Sequence, residues 1–144
     1  MRTGVIAILL LTMLPACGSG PSTRSAYSSS WSLATSLDAQ RQCGVVRLNK
    51  GVFVSQNLQL LVERHYLTRE QAERVVVQNV LVGDPECVAY AAFGVWQAKN
   101  TQRTDRKKRL IQLEVDFSCQ NSDVPCPGTR VQVIDGVITS ISPL

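Results

Sequence analysis

The chain has 144 residues, enough for one well-packed domain and too few for two. Its 15 lysines and arginines against 11 aspartates and glutamates leave a formal charge of +4. That mild excess does not imply nucleic acid, and it suits anionic lipid headgroups or acidic protein surfaces.

At the N-terminus, Arg2 precedes an uncharged apolar run over residues 4–14, the layout of a secretory leader. The run is too short to span a bilayer, which takes about 20 apolar residues, and Pro15, Gly18, Gly20 and Pro21 interrupt the chain directly after it. The residues Leu14-Pro15-Ala16-Cys17 resemble the bacterial lipobox. That resemblance implies removal of residues 1–16, acylation of the Cys17 sulfur and anchoring by two or three chains, without a spanning helix. Gly18 stands where an aspartate signals inner-membrane retention, so the resemblance further implies the outer membrane, lipid-anchored on its periplasmic face. Residues 17–40 read as the acylated cysteine and a flexible Ser/Gly-rich tether, and residues 41–144 as the domain. Within the tether, Tyr27 and Trp31 are spaced to share a helical face, docking either on a partner or lipid or back on the domain.

The spacing of Leu58, Leu61 and Val62 predicts a helix over 55–65 with Ser55 as its cap. Thr68 and Gln71 form a capping box that starts a second helix, whose stripe is Ala72, Val75, Val76, Asn79 and Val80 and whose stop is Gly83. A third is predicted from Asp84 as cap and Pro85 as first helical residue, ending at Gly94, with Val88, Ala91 and Ala92 inward.

After Gly94 the period changes to two. Residues 109–118 alternate, with Ile111, Leu113, Val115 and Phe117 on one face and Glu114 and Asp116 on the other, facing water. Asp135-Gly136 reads as a type I′ hairpin turn between two β-branched runs, or as a bulge in one longer strand, and residues 95–100 as an edge strand. The fold class is therefore α+β: two or three short N-terminal helices packed on one face of a small three- to four-stranded antiparallel sheet.

Cys43, Cys87, Cys119 and Cys126 are an even set for an oxidising compartment, with three possible pairings. The turn-forming Asp123-Val124-Pro125 favours Cys119 with Cys126, which leaves Cys43 with Cys87. No C-x-x-C pair accompanies His65, so no metal or other cofactor is expected. His65 reads as a solvated helix end rather than a base, and no motif of an enzyme is present. Candidate binding residues are Trp96 and the basic run Arg103, Arg106, Lys107, Lys108 and Arg109, a solvated hairpin loop that serves solubility or meets lipid phosphates.

The succession Gly83, "DPECVAYAAFG", "RLIQLEVDF" and "VQVIDGVITSI" resembles the SmpA/OmlA outer-membrane lipoproteins and the wider fold of β-lactamase inhibitor protein. The resemblance implies a non-enzymatic envelope assembly or scaffold factor with an envelope protein as partner and no nucleic acid. The alternative it carries is a periplasmic inhibitor of a secreted hydrolase.

Overall fold

The computed structural model describes residues 31–118 and 128–144. Cys17, Tyr27, Cys119 and Cys126, with the expectations attached to them, lie outside those residues. Helices α1 (Leu33–Cys43), α2 (Ser55–Glu63), α3 (Arg69–Val76) and α4 (Glu86–Phe93) precede strands β1 (Lys99–Thr104), β2 (Leu110–Phe117), β3 (Thr129–Ile134) and β4 (Val137–Pro143). The strands form one antiparallel sheet in the order β1-β2-β3-β4. The class is α+β, with four α-helices among the described residues rather than two or three.

Helix α1 begins inside the segment expected to be tether, so the ordered domain reaches back from residue 41 at least to Ser32. Ser32 caps it: the Ser32 hydroxyl accepts from the Thr35 amide at 3.3 Å, and the Thr35 hydroxyl accepts from the Ser32 amide at 2.8 Å. This is a capping box closed by a short Thr where Glu or Gln is usual. Trp31 folds back on the domain and packs against its core.

The expected cap of α2 is displaced by one residue. Ser55 is the first helical residue and Val54 the cap, with no side-chain bond. The Val54 amide is held instead by the Val46 carbonyl at 2.8 Å, so a backbone bond sets where this helix starts.

The Thr68–Gln71 capping box of α3 forms as expected, at 3.1 and 2.9 Å. The helix stops at Val76, well short of Gly83. Gln78 takes a left-handed φ of 57° and the Asn79 amide bonds back to the Arg74 carbonyl at 2.8 Å, the closure usually built on glycine. Only Ala72 and Val75 of the expected stripe are buried, while Val76 and Val77 are exposed. A run of β-branched residues with no core to meet gains little from further helix.

Helix α4 is the centre of the fold. Every residue from Glu86 to Ala92 is buried, which three alanines allow by letting neighbouring backbones approach. Pro85 holds the cap position and Asp84 does not cap at all. Its carboxylate accepts from Arg74 Nη1 and Nη2 at 2.6 and 2.7 Å, and from the Leu81 amide at 2.8 Å. Gly94 ends the helix at φ 74° and ψ 161°, as expected of a glycine stop. A disulfide joins Cys43, at the end of α1, to Cys87, at the start of α4.

The sheet turns Leu113, Val115, Phe117, Val131, Val133 and Ile138 into the same core as α4. The Phe117 ring lies 5.2 Å from that of Phe93 and 6.1 Å from that of Tyr90. Asp135 and Gly136 both have positive φ, 51° and 76°, so they form the hairpin turn, and the bulge lies elsewhere, at Gln132/Val133. The edge strand is β1, Lys99–Thr104, later than the 95–100 expected, and all six residues are exposed.

Candidate functional site: an open groove beside α1

The outer side of α1 and of the segment that follows it carries aliphatic side chains that the core does not use. Leu37, Val45 and Leu48 are 38%, 39% and 47% exposed, against 0–3% for most of the core. Facing them is the turn after α4, where Val95 and Trp96 stand half-buried. Between lie two adjoining hollows of about 460 and about 380 Å³, which share Gln40, Arg41 and Val95. Ala34 and Leu37 line the first, and Val45, Leu48, Asn49, Trp96 and Gln97 line the second. Leu60 and Arg64 of α2 extend the surface past Val45.

Close backbone approach holds the groove's floor. A Cβ on Gly44 would come within 2.5 Å of Val95 Cγ2, so only glycine lets the end of α1 meet this turn without displacing Val95. Beneath it, Arg47 is buried and donates from Nε to the Ala92 carbonyl at 2.6 Å and from Nη2 to the Val76 carbonyl at 3.3 Å. It thereby satisfies last-turn carbonyls of both α4 and α3. Its guanidinium also lies 5.2 Å from the centre of the Phe53 ring. Desolvation lowers the pKa of this guanidinium from its ordinary value. The groove rim is cationic through Arg41, whose contact with Asp38 is a long, exposed 3.4 Å.

Two polar clusters lie elsewhere. Glu86 is sealed in the core, where Oε2 accepts from Ser36 at 2.7 Å and Tyr90 at 2.8 Å, and Oε1 from the Trp31 indole at 3.3 Å. Burial raises its pKa above the ordinary carboxylate value, against the pull of those three donors. With Ser36, Glu86 and Tyr90 all buried, the cluster fixes α1 to α4 and the carboxylate has no reach to a substrate. On the open sheet face, Glu114 and Asp116 do not face water alone as expected. Arg130 of the next strand takes Asp116 in a two-pronged pair at 2.8 and 2.9 Å and reaches Glu114 at 3.3 Å. The Arg130 guanidinium holds the Asp116 carboxyl below its usual range, so Asp116 is not poised as an acid.

Of the residues expected to bind, Trp96 lines the groove and the basic run does not join it. Arg103, Arg106, Lys107, Lys108 and Arg109 sit at the β1–β2 hairpin, about 20 Å away along the six residues of β1. Asp105 folds that loop by accepting from the Lys107 and Arg109 amides at 2.8 and 2.9 Å and from Arg109 Nε at 2.7 Å. Among the described residues, only Arg109 of the run has an ion-pair partner. His65 is exposed just past the end of α2 with a φ of 61° and lines neither hollow of the groove. Among the described residues, no group of three or more His, Cys, Asp and Glu is placed to hold a metal, and no helix is long and apolar enough to cross a membrane.

Sequence reasoning missed the groove and the Glu86 cluster because both depend on α1, which the Ser-rich composition concealed. The Ser32-x-x-Thr35 spacing was the available signal. In comparisons with known proteins, no family model, curated protein or solved structure matches the chain.

Proposed function

We propose that this chain is a non-enzymatic, lipid-tethered protein-interaction module of the bacterial envelope, anchored through Cys17 to the outer membrane at its periplasmic face, where it serves assembly or scaffolding. The observation that carries the binding role is the groove. Leu37, Val45, Leu48, Val95 and Trp96 gather around two adjoining hollows on one surface of the domain. A half-buried tryptophan beside aliphatic side chains is the composition that anchors protein interfaces. The cationic rim at Arg41 favours a partner segment with aliphatic side chains flanked by acids. Support for the compartment comes from the lipobox-like residues ending in Cys17 and from the Cys43–Cys87 disulfide, a bond at home outside the cytosol.

A photo-crosslinking side chain placed at Leu37, Val45 or Trp96 of the full chain in cells is expected to give one discrete adduct with an envelope protein. The same side chain at Gln132, on the open sheet face, is expected to give none. Equal labelling from all four positions would rule out the groove as the binding surface.

A further inference from the structure

Strand register brings three separate segments to one end of the domain. The β1–β2 hairpin leaves from Thr104 and returns at Leu110, while β3 ends and β4 begins at the paired Ile134 and Val137. Leu113 is opposite Val133, so both hairpins point the same way, and the basic one projects further by about two residues, or about 7 Å. The loop before α4 docks alongside: Gly83 and Asp84 bond to Ile138, and the Glu86 amide to the Gly136 carbonyl at 2.9 Å.

These segments carry matched chemistry. The projecting hairpin presents Arg103, Arg106, Lys107 and Lys108 as exposed cations, with Asp105 engaged by Arg109 and Asp135 the other acid of the two hairpin turns. Across the same end, on β3, β4 and the loop that docks on β4, stand aliphatic side chains with no core to fill: Val82 is 63% exposed, Leu81 47%, Ile134 41% and Val137 38%. The described chain also begins here, because Trp31 is held by Glu86 at the start of α4. Cys17 lies 14 residues earlier, a reach of at most about 50 Å.

We infer that this end is a membrane-contact surface, on which the basic hairpin meets the phosphates of anionic lipids while Leu81, Val82, Ile134 and Val137 enter the headgroup layer. The cations and aliphatic tips recognise a bilayer as an amphipathic surface does, charge to phosphate and apolar tip to acyl boundary. The identity of the membrane rests on the tethered reading above; the contact itself rests on placement and charge. Its consequence is orientation. The Val95–Trp96 side of the groove lies at the opposite end of β1, so a domain resting this way holds that side away from the bilayer, toward a partner.

The test uses the full chain with phosphatidylcholine vesicles, with and without phosphatidylserine, and lipids brominated in the acyl chain as quenchers. Val82→Trp is expected to add quenching over the wild-type signal of Trp31 and Trp96 in the anionic vesicles, and Leu48→Trp, at the groove, to add none. Reversing Arg106, Lys107 and Lys108 to Glu in the Val82→Trp chain is expected to cut that added quenching about tenfold at moderate salt. Because quenching reports which end lies in the bilayer, it reads independently of whether Cys17 is acylated. Equal quenching at positions 48 and 82, or quenching indifferent to charge reversal, would overturn the inference. So would shielding of position 82 from a water-soluble quencher by an acidic protein in the absence of lipid, which would assign this end to a protein partner.

Discussion

Ser36 donates its hydroxyl to Glu86 at 2.7 Å across fifty residues of sequence, inside a core that leaves neither side chain more than 1% exposed. With Tyr90 and Trp31 on the same carboxylate, this contact makes the first helix part of the domain, and so makes the groove that α1 borders. A buried carboxylate with its donors satisfied specifies one packing of α1, and removing it leaves those donors stranded.

Glu86→Ala is accordingly expected to lower stability by about 3 kcal/mol, since the Ser36 and Tyr90 hydroxyls lose a buried acceptor. The pH dependence comes from the raised pKa of Glu86 in the folded state. A raised carboxyl binds its proton more tightly when folded, so its stabilising contribution is complete below the ordinary carboxylate range and is lost as pH rises through the folded value. Urea unfolding of wild type relative to Glu86→Gln is expected to show stability falling as pH rises above the ordinary glutamate range, about pH 4. Parallel curves for the two proteins would contradict this role.

The Cys43–Cys87 bond spans 44 residues, and closing a loop of that length contributes about 4 kcal/mol by restricting the unfolded chain. Replacing both cysteines by alanine is expected to shift the urea midpoint downward by a corresponding amount. An unchanged midpoint would show that the α1–α4 contact stands without the bond.

Arg74 and Asp84 form a pair with side chains only 17% and 7% exposed. Asp84→Ala is expected to destabilise by about 3 kcal/mol, because the guanidinium is left buried without its partner. The double change with Arg74→Met is expected to recover part of that loss. A double-mutant cycle with no coupling would place the stability of the 81–84 turn in its backbone bonds instead.

Gly94 sits at φ 74° and ψ 161°, a region open essentially to glycine, and a Cβ there would lie 3.0 Å from the Arg47 carbonyl oxygen. Gly94→Ala is expected to cost about 2 kcal/mol and to loosen the Val95–Trp96 side of the groove. Thermal unfolding measures the first, and Trp96 fluorescence the second. Unchanged stability would mean that this turn adapts.

The sheet was legible in the sequence because its determinants are local: β2 alternates from Leu113 to Phe117, although Ile111, expected on the core face, is exposed at its start, and Asp135-Gly136 tolerates two positive φ angles. So was the Thr68–Gln71 box, where one dipeptide spacing decides a helix start. The helix ends were less so. Gln78 rather than Gly83 closes α3, because exposed valines give the helix nothing to pack on, and Asp84 leaves the cap for an arginine ten residues back. The groove was the least legible. It is defined by side chains that stay outside the core, and that is settled only when α1, the turn at Val95 and Arg47 are assembled. Trp96 is conspicuous in the sequence as a large apolar residue beyond a helix stop, but its neighbours come from α1 and not from the basic hairpin.

The tethered reading stands most directly on the state of one sulfur atom. Mass spectrometry of the chain purified from its own cells is expected to find Cys17 as the first residue, carrying diacylglycerol on sulfur. An N-terminus beginning elsewhere, or an unmodified Cys17, would contradict that reading and leave the groove without its membrane address.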